Sequence, residues 1–259
     1  MKFFSMWWYE QTEERKNQVR SLVKSGQLEI ANAGWSMHDE ACPTYEDMIN
    51  NHMIGHEFVL KEFGVKPRIG WQIDPFGHSN TNARLFADMG FDAWFFGRMD
   101  WADYENRIKN QELEWVWMPN GDASKKIFTH KMWDSYVWIP IGSFDVKYVN
   151  KPFIANKKSV SFDADELAEA LFANMKDKIA AYRSDHVFQP WGDDFAYMNG
   201  FGDFTNLDKM IKYINEKYGD QYEFRYSTPS EYIDAISKEN ITWPTKEDDL
   251  FPYSDQILL

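Results

Sequence analysis

Short apolar runs alternate with charged, amphipathic stretches along most of the chain, and glycines mark several of the boundaries. Residues 12–25 are charged and helix-prone, and Gly26 stops them. Residues 27–33 alternate apolar and polar like a strand. Thr44 reads as a helix N-cap, with Asp47 three residues on standing in for a capping-box Glu. The helix it opens runs to Phe63 and ends at Gly64. An apolar run follows over 67–73, then a loop over 74–79 and a helix over 80–89. The pattern continues with a strand at 91–96, a helix at 100–110, and strands at 113–118 and 127–132. Beyond an irregular stretch, 120–160, it predicts helices at 163–183, 206–218 and 229–238, with strands at 186–191 and 222–226.

Repeated strand–helix alternation implies an α/β fold with parallel strands joined by helical crossovers. The pattern alone leaves an open doubly wound sheet and a closed barrel as alternatives. In either, working residues sit in the loops that follow the C-terminal ends of strands. Asp74 meets that condition after 69–73, as do Asp193-Asp194 after 187–191 and Arg98 after 94–96. Asp39-Glu40 follows the first alternating run after a short spacer.

Several carboxylates on one rim suit acid–base work or a hard-metal site. Glycoside hydrolysis needs two, one to attack or activate water and one to protonate the leaving oxygen, about 5–5.5 Å apart in retaining enzymes. The plainer alternative is that an Asp after a strand caps a helix or forms a turn. For Asp193-Asp194, adjacent like charges need a cation, a proton or a substrate to offset them. His78 could ligate a metal, but is expected to hydrogen-bond a neighbouring loop. His52 and His56 have the i, i+4 spacing of zinc proteases, yet Met53-Ile54-Gly55 between them lacks the catalytic Glu. No Gly-x-Ser-x-Gly elbow, P-loop or Gly-x-Gly-x-x-Gly fingerprint is present in the sequence.

Composition narrows this further. Of the 259 residues, 17% are aromatic, which rules out generic disorder and fits either an aromatic-rich core or sugar binding. The formal net charge is −13, so a nucleic-acid partner is excluded while a neutral glycan is not. Cys42 is alone, which excludes an intrachain disulfide and cysteine-rich zinc sites. No apolar run is long enough to span a bilayer, and the first ten residues make a poor signal peptide. Asn240-Ile-Thr242 is a possible glycosylation sequon.

A series of blocks then resembles one family in order and spacing. They include Phe-Phe-Ser-Met-Trp-Trp (3–8), Gly-Gln-Leu-Glu-Ile-Ala-Asn-Ala-Gly-Trp (26–35) and Trp-Gln-Ile-Asp-Pro-Phe-Gly-His-Ser (71–79). Phe-Phe-Gly-Arg (95–98), Gly-Asp-Asp-Phe (192–195) and Asp-Asp-Leu-Phe-Pro-Tyr (248–253) follow. Together they resemble the catalytic domain of glycoside hydrolase family 38, on its lysosomal-type branch.

The resemblance implies a retaining α-mannosidase acting on mannose-containing glycans, built on a seven-stranded α/β barrel. It implies Asp74 as nucleophile and zinc ligand, and Asp194 as general acid/base. Phe76 would wall the sugar pocket, Arg98 would bond near the nucleophile, and Tyr136 would contact sugar. The family's His-x-Asp-x-Gly-Trp and His-His-Asp blocks are absent from these 259 residues. Residues 1–259 therefore read as a partial catalytic domain lacking its first strand. The other zinc ligands are expected in the remainder of the polypeptide, and the location is expected to be a lysosome or another acidic lumen. The competing readings are a non-catalytic remnant, a glycan-binding module without turnover, and metal-dependent deacetylation on an acidic rim.

Overall fold

The computed structural model describes residues 1–137, 144 and 152–254. They form two compact units. The first comprises Met1–Ser135, Ala181–His186 and Thr228–Leu259, and the second Tyr136–Ala180 and Val187–Ser227.

The first unit is an α/β layer built on one mixed sheet. Its strands are β1 (Ile69–Gln72), β2 (Ala93–Phe96), β3 (Glu114–Trp117), β4 (Ile127–Lys131) and β5 (Thr245–Lys246), in the order β1-β2-β4-β3-β5. β1, β2 and β4 run parallel, with Ile69 opposite Ala93 and Ala93 opposite Phe128. All four residues of β2 are buried, as expected of an interior strand covered on both faces. β3 pairs antiparallel with β4, Trp117 opposite Ile127. The connection between these two strands holds only a 3-10 turn at Pro119–Gly121, too short for a crossover helix, so the chain returns alongside itself.

Five strands among the described residues, with β1 and β5 as edges, do not close into a seven-stranded barrel. Three expected strands are also missing, because other contacts take the place of their ladders. At 27–33 the backbone turns left-handed at Asn32 and Ala33. Asn32 meets β1 there through its amide, which donates to the Ile69 carbonyl, and its Oδ1, which accepts from Trp71. In the second unit, the Asn215 side chain brackets Phe224 on both its amide and its carbonyl, at 2.8 and 2.7 Å. A side-chain amide thus occupies the place a neighbouring strand would take at 222–226. Over 186–191 no ladder forms either; Pro190 has no N–H to give, and Gln189 accepts instead from the Lys178 ammonium.

The helices follow the sequence closely. In the first unit they are α1 (Lys2–Tyr9), α2 (Glu13–Lys24), α3 (Tyr45–Phe63), α4 (Asn80–Met89), α5 (Trp101–Asn110) and α8 (Pro229–Ile236). α3 has a complete capping box between Thr44 and Asp47, and Gly64 ends it in the left-handed region. Gly55 lets α3 close on the preceding loop, because a Cβ there would lie 1.7 Å from the Ala33 carbonyl oxygen. α1 was not expected from the sequence; its start is tied to the 34–35 backbone by the Met1 ammonium and the Lys2 amide.

The core beneath the sheet is aromatic. Trp94 and Trp117 stack at 5.4 Å and 12°, packed with Phe86, Phe96 and Trp115, all fully buried. In the second unit, α6 (Ala164–Ala181) and α7 (Gly200–Tyr218) bury Leu171, Met175, Leu207, Met210 and Ile214 around Phe153. α7 starts at Gly200, six residues before the predicted 206. Among the described residues no helix is long and apolar enough to cross a membrane.

Candidate active site

β1 delivers its chain to the rim at Gln72, and Asp74 stands in the bend that follows. The bend from Asp74 to Ser79 is tight because Gly77 sits at φ +111, where any Cβ would lie 2.2 Å from the Phe251 ring. Ser79 then caps α4 by accepting from the Thr81 amide. Trp117 and Asp249 hold the α4 start through Asn80, whose side-chain oxygen accepts from the indole and whose amide donates to the carboxylate.

Arg98 leaves the end of the neighbouring strand β2 and turns back onto Asp74. Its Nε donates to Asp74 Oδ1 at 2.6 Å, and its Nη2 lies 2.5 Å from the same oxygen. The guanidinium lies over the Phe76 ring at 4.6 Å, a cation–π contact, and Phe76 meets Tyr253 edge-on at 5.9 Å. Burial opposes the charge on Arg98, but its bonds to Asp74 and Tyr253 outweigh that, and its pKa rises above the usual guanidinium value. Asp74 and Phe76 remain about half exposed at 45% and 50%, so a ligand can reach both. Asp74, Phe76 and Arg98, each proposed from sequence, therefore converge in the first unit.

Beneath them lies a buried layer that sequence reasoning only partly anticipated. His78 makes the expected bond to a neighbouring loop, with Nε2 3.0 Å from the Arg98 carbonyl oxygen. Its Nδ1 lies 2.7 Å from Glu40 Oε1, and Glu40 Oε2 accepts from the Ser79 amide at 2.6 Å. Both side chains are fully buried. Next to them His38 contacts Gln72 and Asn82, and its ring meets His52 edge-on at 5.4 Å, with His56 a further 5.6 Å along. Burial lowers the pKa of all three of these histidines, His52 to about 4. His52 and His56 bond the carbonyls of Met48 and Asn32, so their helical spacing serves packing rather than a metal.

Two further residues were missed. Tyr253 reaches Arg98 from far along the chain and was visible only as the end of the 248–253 block. Lys131, fully buried at the end of β4, donates to the Met132 carbonyl and lies over the Tyr104 ring at 4.3 Å; burial pushes its pKa down to about 7.

Asp194 and Tyr136 belong to the second unit. Asp194 is exposed in the turn before α7, and its amide donates to Asp193 Oδ1 at 2.7 Å. Phe195 and Tyr197 in that turn adopt left-handed φ values of 58° and 63°. Tyr136 is half-buried at the boundary of the described residues. Among the described residues no group of three or more His, Cys, Asp or Glu converges to hold a metal ion. Zinc takes four ligands, so Asp74 with the described residues alone does not make a zinc site.

The Asp74–Arg98 pair thus lies in loops after adjacent parallel strands, the position where α/β folds place their working residues. The family model for the glycosyl hydrolases family 38 N-terminal domain matches residues 1–256. The chain belongs to that family. It is 42% identical over 257 residues to the lysosomal alpha-mannosidase of Dictyostelium discoideum, covering 98% of this chain and 25% of that one. The lysosomal alpha-mannosidase of Homo sapiens is 38% identical over 260 residues, covering 98% and 26%. The chain thus spans about a quarter of the length of these relatives. An alpha-mannosidase structure from Enterococcus faecalis V583 shares the fold, with a TM-score of 0.68 at 21% identity over 92% of this chain and 24% of that one.

Proposed function

We propose that this chain carries the nucleophile of a retaining α-mannosidase, with Asp74 attacking the anomeric carbon of a terminal α-mannosyl residue. The observation that carries the reading is the Arg98–Asp74 pair under the half-exposed Phe76 ring, in a member of family 38. The guanidinium holds the Asp74 carboxylate in place through Oδ1, and the Phe76 face suits the apolar C–H face of a pyranose. Asp194 is assigned the general acid/base role. It donates a proton to the leaving oxygen as Asp74 forms the glycosyl ester, then takes one from the water that cleaves that ester. Tyr136 is assigned a sugar contact.

Zinc enters as a requirement on a longer polypeptide. Asp74 would be one donor, and the others are assigned to sequence outside this chain, as are the strands that would complete a seven-stranded barrel. Both compact units are assigned to one catalytic domain. An acidic lumen, such as the lysosome named for the relatives, is the proposed location.

The test is release of p-nitrophenol from its α-mannoside with added zinc. The isolated 259-residue chain is expected to show no turnover. The product of the whole reading frame is expected to turn over and to lose that activity in Asp74→Ala. Saturable glycan binding by that whole product with no hydrolysis would favour the binding-module reading instead.

A further inference from the structure

His78 lies at the end of the Asp74 bend, and nothing in the proposed chemistry uses it. Its hydrogen bonds nevertheless count out a proton. A backbone carbonyl only accepts, so the contact with the Arg98 oxygen requires hydrogen on Nε2. The 2.7 Å contact between Nδ1 and Glu40 Oε1 then requires one proton between those two atoms. Glu40 Oε2 is already committed to the Ser79 amide. Wherever the shared proton sits, the pair is neutral as a whole and every one of these polar atoms is partnered, which suits complete burial. The ring is wedged between Phe96, at 4.1 Å, and the Trp94 edge, at 5.2 Å, so it cannot swing out.

These contacts close a circuit. The chain runs from Asp74 to His78, the His78 ring holds the Arg98 backbone, and the Arg98 guanidinium returns to Asp74. The Arg98 carbonyl requires the hydrogen on Nε2, and Glu40 holds the angle of the ring that joins the two loops. We infer that Glu40 and His78 are a positioning pair, which sets the Arg98 guanidinium on Asp74 Oδ1 by gripping the Arg98 carbonyl. The inference deepens the reading of Asp74 as nucleophile, and its kinetic consequence rests on that reading. The predicted placement of Arg98 does not.

The experiment therefore has two readouts. In the arginine-labelled chain, the Nε–H resonance of Arg98, identified by its loss in Arg98→Lys, reports the bond to Asp74. It is expected to persist in Glu40→Gln, whose amide can still accept from Ser79 and donate to Nδ1. It is expected to vanish or broaden in Glu40→Leu and His78→Phe. In the whole reading-frame product, those two substitutions should lower kcat by about 10- to 100-fold with little change in KM, as expected for misplacement of a reacting group. Glu40→Gln should recover most of that loss, which a role in bulk stability would not produce. The inference is overturned if the breaking variants, folded by near-ultraviolet circular dichroism, keep both the resonance and kcat. It is equally overturned if Glu40→Gln falls as far as Glu40→Leu, and this pair decides the matter if His78→Phe does not fold. The expected resonance pattern without any mannoside hydrolysis would leave the pair standing and remove the assigned reaction.

Discussion

The two carboxylate loops singled out by sequence are held by different means. Asp74 follows a laddered strand, is ion-paired to Arg98, and stands on the buried Glu40–His78 layer. Asp194 follows a segment with no ladder, in an exposed turn where its amide donates to Asp193 Oδ1. A nucleophile must be ionised and aimed within a fraction of an ångström, whereas an acid/base must exchange protons with water. The contrast teaches that the Asp74 loop is positioned by side chains from neighbouring strands and a buried layer, whereas the Asp194 turn is described through bonds within its own segment. All six histidines also lie in the first unit, and burial lowers the pKa of three of them, His38, His52 and His56.

The largest expected difference is kinetic. In the whole reading-frame product, Asp74→Ala should cost on the order of 10⁴- to 10⁶-fold in kcat with every α-mannoside tested. Asp194→Ala should cost about 10²- to 10⁴-fold with a poor leaving group, and far less with an activated aryl group that leaves unprotonated. Equal losses for both leaving groups would erase the distinction between the two loops.

A second prediction concerns pH. Burial holds the folded pKa of His52 at about 4, below its unfolded value of 6.5. The unfolded chain therefore binds the extra proton first, and the stability this group contributes is present above pH 6.5 and lost as pH falls toward 4. The full swing is about 3 kcal/mol for His52, with His38 and His56 acting in the same direction. Burial is the main cause at His38, and Glu40 partly opposes it. Urea unfolding of the isolated chain between pH 7 and pH 4.5 should show this slope, and His52→Phe should flatten it. An unchanged slope in the variant would assign acid sensitivity to other groups.

Smaller effects separate the two loops by their glycines. Gly77→Ala forces a side chain into a left-handed backbone and against Phe251, and should destabilise by about 1–3 kcal/mol. Gly200→Ala, at the start of α7, would meet Phe204 only at ordinary contact distance, 3.7 Å. It should be neutral or stabilise by up to about 1 kcal/mol through the unfolded state. Denaturant midpoints with unchanged m-values would measure both, and similar costs at the two sites would mean the second turn is as constrained as the first.

What was legible in the sequence was what local chemistry decides. The Thr44–Asp47 capping box, the left-handed Gly64 and the buried Ala-Trp-Phe-Phe strand all follow from neighbours in sequence. Strand-end logic also placed Asp74 and Arg98 in loops that follow strands; that those strands are neighbours is seen only in the fold. The strands expected at 27–33 and 222–226 failed because distant contacts replaced their ladders, with Asn32 and Asn215 offering side-chain amides instead of a neighbouring backbone. Tyr253 and the Glu40–His78 contact were illegible for the same reason, since each joins segments far apart in the chain. The antiparallel turn of β3 onto β4 could have been read from the short connection between them.

The claim that Asp74 attacks the sugar is tested most directly by trapping the ester it would form. The whole reading-frame product would be treated with a fluorinated α-mannosyl fluoride that glycosylates the nucleophile quickly and hydrolyses slowly, then digested and sequenced by mass spectrometry. The account predicts one mannosyl label, on Asp74 within the peptide containing Trp-Gln-Ile-Asp-Pro-Phe-Gly-His. A label on Asp194, or turnover of α-mannosides with no covalent label on the protein, would contradict it.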